Sequence, residues 1–404
     1  MAFDQNPELC MVVFKWIKKL YGFAENFTFN FTVLLLLLFS MDNTDVDPLP
    51  PLPKRLKCNA CYKQYKKEEH LIEHLNKSYH SVHQPRCAAC LKHCKSFESV
   101  REHVFGPLPR GFCSRLFSEQ GCQLCLAIFG SPEARDEHIE LCRLPAPVPL
   151  ETSALSYIDP EFYVQVSSAE NHVGRRPGAI AIDCEMVGGG YDGSIEVCAR
   201  VCVVDEDEKV IFHTYVQPEI PVTNYRHDTT GLTEEHLRDG MPLKEVQEKV
   251  LQILYNEESL SNVRSKLFDG GKARLLVGHG LANDLDCLKL SYPDHMLRDT
   301  SMYPPLMKTN SVSHSLKYLT RTYLGYDIQT GDHDPYEDCI SAMRLYKRMR
   351  GQVHKEKGNG TSITSNIFRL LDARESNKVD KFTLDELYAM SSSDFKCWCL
   401  DMRP

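Results

Sequence analysis

The chain has 404 residues, 42% of them hydrophobic and 25% charged, so it can bury sizeable cores and is too long for one small domain. Glycine and proline, 22 of each, stand at ordinary levels, which excludes collagen-like, wholly disordered and small disulfide-scaffold classes. Net charge is −8, which does not announce a nucleic-acid binder, but the average conceals a split: 15 Lys and Arg face 10 Asp and Glu between Pro51 and Pro145, against 32 and 45 elsewhere. Cysteine is skewed the same way. Of 17 cysteines, nine lie between Cys58 and Cys142, together with seven of the 16 histidines, and thiols mixed with imidazoles point to metal rather than disulfides.

Residues 1–50 read as an extension outside the folded domains. Phe31 to Phe39 is apolar except for Thr32 and follows Lys15, Lys18 and Lys19, as a signal-peptide core would. It is shorter than the roughly 20 apolar residues of a membrane span and no small-residue cleavage site follows it, so no membrane association is expected and Met41 stands as a second start.

Residues 51–145 carry one register three times. The first is Cys58-x2-Cys61-x12-His74-x5-His80, with Tyr65 and Leu71 at the apolar positions a ββα finger packs around its metal. The last, Cys122-x2-Cys125-x12-His138-x3-Cys142, repeats it with a terminal thiolate and with Phe129 in the place of Tyr65. Between them, Cys87-x2-Cys90-x12-His103 lacks a fourth ligand at the usual distance; Cys113 is the candidate, with Cys94 or His93 as alternatives. Two cysteines from a tight turn and two ligands from one helix face close a tetrahedron, so the array is expected to hold structural Zn²⁺. Lys63, Lys66, Lys67, Lys77 and Tyr79 would suit phosphate contact and stacking, although a charged helix face is more often simply solvated.

Residues 146–176 read as a linker, and residues 177–352 as a second domain of alternating strands and helices. Its first strand, Ala179 to Val187, is apolar enough to be central, yet period-two geometry puts Asp183 and Glu185 on one face. Like charges at that spacing repel and suffer desolvation unless a cation or proton stands between them. Glu196 to Asp205 and Lys209 to Val216 read as hairpin strands around a charged turn. Thr233 reads as the N-cap of a short helix without a full capping box, since His236 holds the third position, and Leu243 to Tyr255 has helical spacing. Arg274 to Gly278 is a short buried strand leading into a helix from about Leu281 to Leu290, where Asp284 shares the core-facing stripe with Leu281 and Leu288. Asp334 caps a final helix with Pro335 at its first position and Glu337 at the reciprocal third, leaving His333 just outside and Asp338 in the first turn.

Asp183-x-Glu185, then Asp284 within His279-x3-Asn283-Asp284, then His333-x4-Asp338, resembles the three motifs of the DEDD exonuclease superfamily in its histidine subclass; the tyrosine subclass would have Tyr where this chain has Asp334. The phrases Asp183-Cys184-Glu185-Met186-Val187, Thr230-Gly231-Leu232-Thr233, Val277-Gly278-His279-Gly280 and the run His333 to Asp338 are similar to the Rex-type RNA exonucleases of the RNA exonuclease four-like branch, over roughly residues 175 to 352. The finger array resembles that of plant members.

The resemblance implies an α/β fold, a ribonuclease H-like mixed sheet flanked by helices, preceded by small ββα fingers. It implies 3′-to-5′ hydrolysis of RNA, or of single-stranded DNA, to nucleoside 5′-monophosphates. Two Mg²⁺ or Mn²⁺ ions would be held by Asp183, Glu185, Asp284 and Asp338, with His333 as proton acceptor. Met186, Arg226 (in the loop Tyr225 to His227), His279 and Asn283 would touch substrate. Nuclear or nucleolar placement, with cytoplasm as the alternative, rests on the resemblance and a weak basic patch at Lys54, Arg55 and Lys57. Rival readings are an inert finger protein that binds nucleic acid or protein, and a DNA exonuclease; protein partners are not specified. Residues 353–404 form a tail with a capping box at Thr383 and Glu386 and the pair Cys397-Trp398-Cys399, a spacing poor for joint chelation, so the tail is expected to serve packing or protein contact.

Overall fold

The computed structural model describes residues 56–58, 60–78, 83–109, 111–150, 178–259, 263, 271–352, 354 and 396–402. Contacts divide the chain after Lys54, and every described residue lies in the unit Arg55–Pro404. The expectations for residues 1–50, most of the linker, Tyr79, His80 and the Thr383–Glu386 cap fall outside the described residues.

Each finger opens with the same backbone turn. The amides of Tyr62, Leu91 and Leu126 donate to the carbonyls of Cys58, Cys87 and Cys122 at 2.8, 2.8 and 2.9 Å, and these three residues share a left-handed φ of 65°, 60° and 60°. A non-glycine residue in that region costs about 1 kcal/mol, so its recurrence at one position marks a turn that something else stabilises. Strands β1 (Leu56–Lys57) and β2 (Gln64–Tyr65) pair antiparallel, and helices α1 (Glu68–Lys77), α2 (Phe97–Phe105) and α4 (Pro132–Cys142) carry His74, His103 and His138. Ser96 and Ser131 cap α2 and α4 through their hydroxyls. An extra helix, α3 (Gly111–Gln120), follows α2 and carries Cys113.

The fingers are not equivalent in packing. The first keeps a small core of its own, Cys58, Ala60, Leu71 and Leu75. Phe97, Val100, Val104, Phe117 and Leu126 of the other two belong to the core of the α/β domain. Phe97 meets Tyr323 edge-on, Arg101 donates to the carbonyls of Leu124 and Thr322, Glu98 accepts from the Thr309 amide, and the Leu144 amide donates to Leu324.

That domain is built on a mixed sheet. Strands β3 (Ala179–Gly189), β4 (Ile195–Asp205) and β5 (Val210–Gln217) form an antiparallel meander, and the short β6 (Val222–Asn224) also pairs with β3. Two short helices, α5 (His227–Thr230) and α6 (Glu234–Arg238), lead to β7 (Met241–Pro242), parallel to β5, and then α7 (Leu243–Tyr255). On the other side of β3 run the parallel strands β8 (Leu275–Gly278) and β9 (Leu297–Asp299), giving the order β7-β5-β4-β3-β8-β9. Helix α8 (Leu281–Cys287) follows β8, α9 (Leu316–Leu319) follows β9, and α10 (Pro335–Arg350) packs across β3, β4 and β8. The central strand is thus antiparallel to one neighbour and parallel to the other, with helices against the sheet, the ribonuclease H-like arrangement that was expected.

Three local expectations need correction. His236 Nδ1 accepts from the Thr233 amide at 3.1 Å, so an imidazole completes the capping box that lacks Glu or Gln. Glu337 does not reach back to the cap of α10; its carboxylate accepts from the Gln329 amide at 2.9 Å instead. Helix α8 ends at Cys287, before Leu290.

Candidate active site and metal centres

Strand β3 is apolar on both faces because it is covered on both, and this makes its two carboxylates costly. Glu185, Asp284 and Asp338 are buried and Asp183 is half-buried. A β-bulge against β4 falls between Glu185 and Met186, so the alternation that aligns Asp183 with Glu185 is broken immediately after them. Helix α8 brings in Asp284, whose Oδ1 accepts from the Cys184 amide at 3.0 Å and so ties the helix to the strand between the two β3 acids. The start of α8 is held by Asp299 of β9, whose carboxylate accepts from the Gly280 and Leu281 amides, both at 2.9 Å. Gly280 has φ of +81°, a left-handed position that suits glycine.

The four acids share one electrostatic environment. Desolvation first, then Asp338, Asp284 and Glu185, push the Asp183 carboxyl well above its ordinary range. Burial, then Asp338, raises Glu185 to about 8, although Arg200 opposes the shift. Burial raises Asp338 to about 7 against the hydrogen bond from Gln329, and burial also raises Asp284. Asp338 Oδ2 accepts from Gln329 Nε2 at 2.8 Å, while the buried Oδ1 has no hydrogen-bond partner among the described residues. An orphaned carboxylate oxygen beside three further acids makes a donor set of hard oxygens, which fits Mg²⁺ or Mn²⁺.

His333 precedes the helix that carries Asp338. It hydrogen-bonds none of the four carboxylates; its amide donates to Thr229 O at 2.6 Å, and desolvation, then Lys317, lower its pKa against Asp332. Its loop packs on Gly231, where φ is +64° and a Cβ would come within 2.6 Å of Asp332. Two of the remaining candidates adjoin the acids in the chain. Met186 is half-buried on β3 and Asn283 is exposed on α8. His279 Nδ1 lies 2.9 Å from Thr300 Oγ1, and Arg226 forms a two-pronged pair with Glu196 at 2.7 and 2.8 Å.

Two neighbours escaped the sequence reading. Arg200, 4% exposed in the middle of β4, pairs with Asp334 at 3.2 Å and donates to His213 at 2.8 Å. A lone cation inside the apolar run Val197 to Val204 is the signal that could have found it. Gln329, in a loop, carries no such signal.

The thiol sets are compact. Cys87, Cys90, His103 and Cys113 bring their ligand atoms within 4.8 Å of one another, so Cys113 rather than Cys94 or His93 completes the middle group. Cys122, Cys125, His138 and Cys142 do the same, as do Cys58, Cys61 and His74 among the described residues of the first finger. The spacing of Cys397 and Cys399 proves compatible with convergence: both sulfurs join His83 and His354 in a further group.

Comparison with known proteins bears on the α/β domain. Residues 180–346 match the exonuclease family RNase_T. The chain is 38% identical over 169 residues to RNA exonuclease 4 of Homo sapiens, covering 42% of this chain and 36% of that protein. To RNA exonuclease 4 of Candida albicans it is 31% identical over 218 residues, 54% of this chain and 65% of the relative. Among solved structures, the Pan2 pseudoubiquitin hydrolase-RNA exonuclease module of Saccharomyces cerevisiae in complex with AAGGAA RNA is 23% identical, covering 43% of this chain and 29% of that one, with a TM-score of 0.35. The chain spans between 36% and 65% of the length of these two curated relatives. Residues 180–346 therefore match the exonuclease family, and Asp183, Glu185, Asp284, His333 and Asp338 all fall within that stretch, whereas the fingers lie outside it.

Proposed function

We propose that the chain is a divalent-metal-dependent 3′-to-5′ exonuclease that degrades RNA to nucleoside 5′-monophosphates in RNA processing or turnover, in the nucleus or nucleolus. Asp183, Glu185, Asp284 and Asp338 hold the active-site cations, and Zn²⁺ in the Cys/His groups is structural. The observation that carries the reading is the partnerless Asp338 Oδ1 among acids whose pKa values are raised by burial and, at Asp183 and Glu185, also by the neighbouring site acids. The resemblance of the motifs, and the similarity to proteins named RNA exonuclease 4, favour RNA as substrate.

When bound, a pair of hard cations would activate the attacking water and offset charge on the phosphate. The four carboxylates that would hold that pair stand on rigid elements, with α8 fixed to β3 and α10 laid across the sheet. Arg200 offsets part of the negative charge, so the acids are not forced to take up protons all at once. His333 takes the proton of the water that attacks the terminal phosphorus; desolvation and Lys317 keep its ring neutral and able to accept near pH 7. The bond from phosphorus to the 3′ oxygen of the preceding nucleotide breaks, and that oxygen takes up a proton, leaving a shortened strand with a free 3′ hydroxyl. Met186, His279, Asn283 and Arg226 contact the terminal nucleotide, Arg226 after release from Glu196.

A labelled single-stranded RNA, incubated with the chain while Mg²⁺ or Mn²⁺ is supplied or withheld, tests this. Metal-dependent release of 5′-monophosphates from the 3′ end, absent in Asp183→Ala, is expected; metal-independent or undiminished release in that variant refutes it. Competition with a matched DNA strand decides between the two polymers.

A further inference from the structure

The three recurrent finger groups do not exhaust the metal-ligand chemistry of the molecule. His83 lies between the first two fingers, His354 just beyond α10, and Cys397 and Cys399 in the closing segment; His354 and Cys399 are 271 and 316 residues from His83. His83 Nδ1 is 3.2 Å from His354 Nδ1 and 3.1 Å from Cys399 Sγ, His354 Nδ1 is 3.1 Å from Cys399 Sγ, and Cys397 Sγ is 3.9 Å from His354 Nδ1. With Zn–N of about 2.0–2.1 Å and Zn–S of about 2.3 Å, the edges of a tetrahedral site run from about 3.3 Å between nitrogens to about 3.8 Å between sulfurs. The observed separations bracket that range. They also match the contacts inside the fingers, where Cys61, Cys90 and Cys125 sulfurs lie 3.2, 3.3 and 3.2 Å from the Nε2 atoms of His74, His103 and His138.

We propose that His83, His354, Cys397 and Cys399 form a further structural zinc site, a clasp that fastens the C-terminal segment to the finger array and to the end of the nuclease helix α10. Cys397 Sγ also meets Tyr303 Oη at 3.6 Å, yet pairwise hydrogen bonds do not require two sulfurs and two imidazole nitrogens to face one point as a shared cation does. Two thiolates and two neutral imidazoles cancel the charge of Zn²⁺, so the group can be held at a half-buried position at little electrostatic cost. Four protein ligands close the coordination sphere, which makes the site structural.

The segment around the thiols is built to present them. Trp398 stacks on Tyr303 at 3.7 Å and meets Tyr346 edge-on. Asp401 accepts from Arg298 through both oxygens at 2.7 Å, with both side chains almost fully buried, and from Tyr346 Oη at 3.1 Å. Arg298 belongs to β9, next to the Asp299 that holds the start of α8, so the clasp positions the strand that in turn positions Asp284.

Zinc content of the full chain, measured by elemental analysis after exhaustive dialysis, tests the site. Cys397→Ser/Cys399→Ser together, and His83→Ala separately, should each bind one zinc per chain fewer than the wild type while keeping the remainder, which also reports that the fingers are folded. Unchanged zinc content in these variants overturns the proposal. If a variant fails to fold, the wild type decides: Cys399, tracked by peptide mass spectrometry, should resist N-ethylmaleimide with zinc bound and react after chelation. Reaction in the zinc-loaded chain, or protection in both states, overturns it equally.

Discussion

Two kinds of ligand cluster stand side by side in this molecule, and they relate to the fold in opposite ways. The Cys/His groups of the second and third fingers tie short turns to single helices that lean on the main core, so an ion held there would fix their local structure. The four carboxylates are held together by a sheet and two helices that have ample core of their own, and without a cation they repel. A ligand lost from the first kind should therefore unfold the protein, whereas one lost from the second should silence it and leave it more stable.

The largest effect is expected at the third finger. Structural zinc contributes on the order of 10 kcal/mol to isolated fingers. Since Phe117 and Leu126 belong to the core of the α/β domain, Cys125→Ser should abolish cooperative melting of the whole unit in calorimetry. The matching change in the first finger, Cys61→Ser, strikes a separate small core and should leave the main transition in place. Equal damage from both would mean that the fingers are packed alike.

Asp183→Asn is expected to lower turnover about 10³-fold, several kcal/mol of lost charge stabilisation at about 1.36 kcal/mol per tenfold. Without added Mg²⁺ or Mn²⁺ the same variant should melt higher than the wild type, because one of four mutually repelling acids is gone. A lower melting temperature would show that the carboxylate supports the fold, as a thiol ligand does.

Arg101→Ala comes next. It removes donors from the Leu124 and Thr322 carbonyls and a cation from the face of Tyr323, at a cost of about 1–3 kcal/mol read by denaturant unfolding. This contact shows what the sequence conceals. The finger register and the β3 acids are legible because chelation and period-two alternation act over short stretches; Arg101 and Glu98 look like ordinary charges on a helix face until Thr309, Thr322 and Tyr323, more than 200 residues on, are folded against them. The His83 group is hidden for the same reason, since its partners lie 271 and 316 residues away, and the Cys397–Cys399 spacing by itself argues against joint chelation. Gln329 was equally unreadable, a polar loop residue whose role exists only because Asp338 needs a donor.

Per pH unit, the smallest effect is the pH dependence of the carboxylate cluster itself. Glu185 is raised from 4.5 to about 8 and Asp338 from 3.8 to about 7 in the folded chain. Between those unfolded and folded values the native state binds more protons than the unfolded state, so stability is fully present at the acid end and is lost as pH rises towards 8. For one proton the slope is about 1.4 kcal/mol per pH unit. Chain melted without added divalent metal should therefore lose stability from about pH 5 to pH 8, over and above a control in which Glu185→Gln removes the titrating group. Mg²⁺ or Mn²⁺ should flatten the slope, because a bound cation makes protonation unnecessary. A slope that ignores the metal would separate the proton uptake from the cation site, and with it the contrast between ligands that build the fold and ligands that strain it.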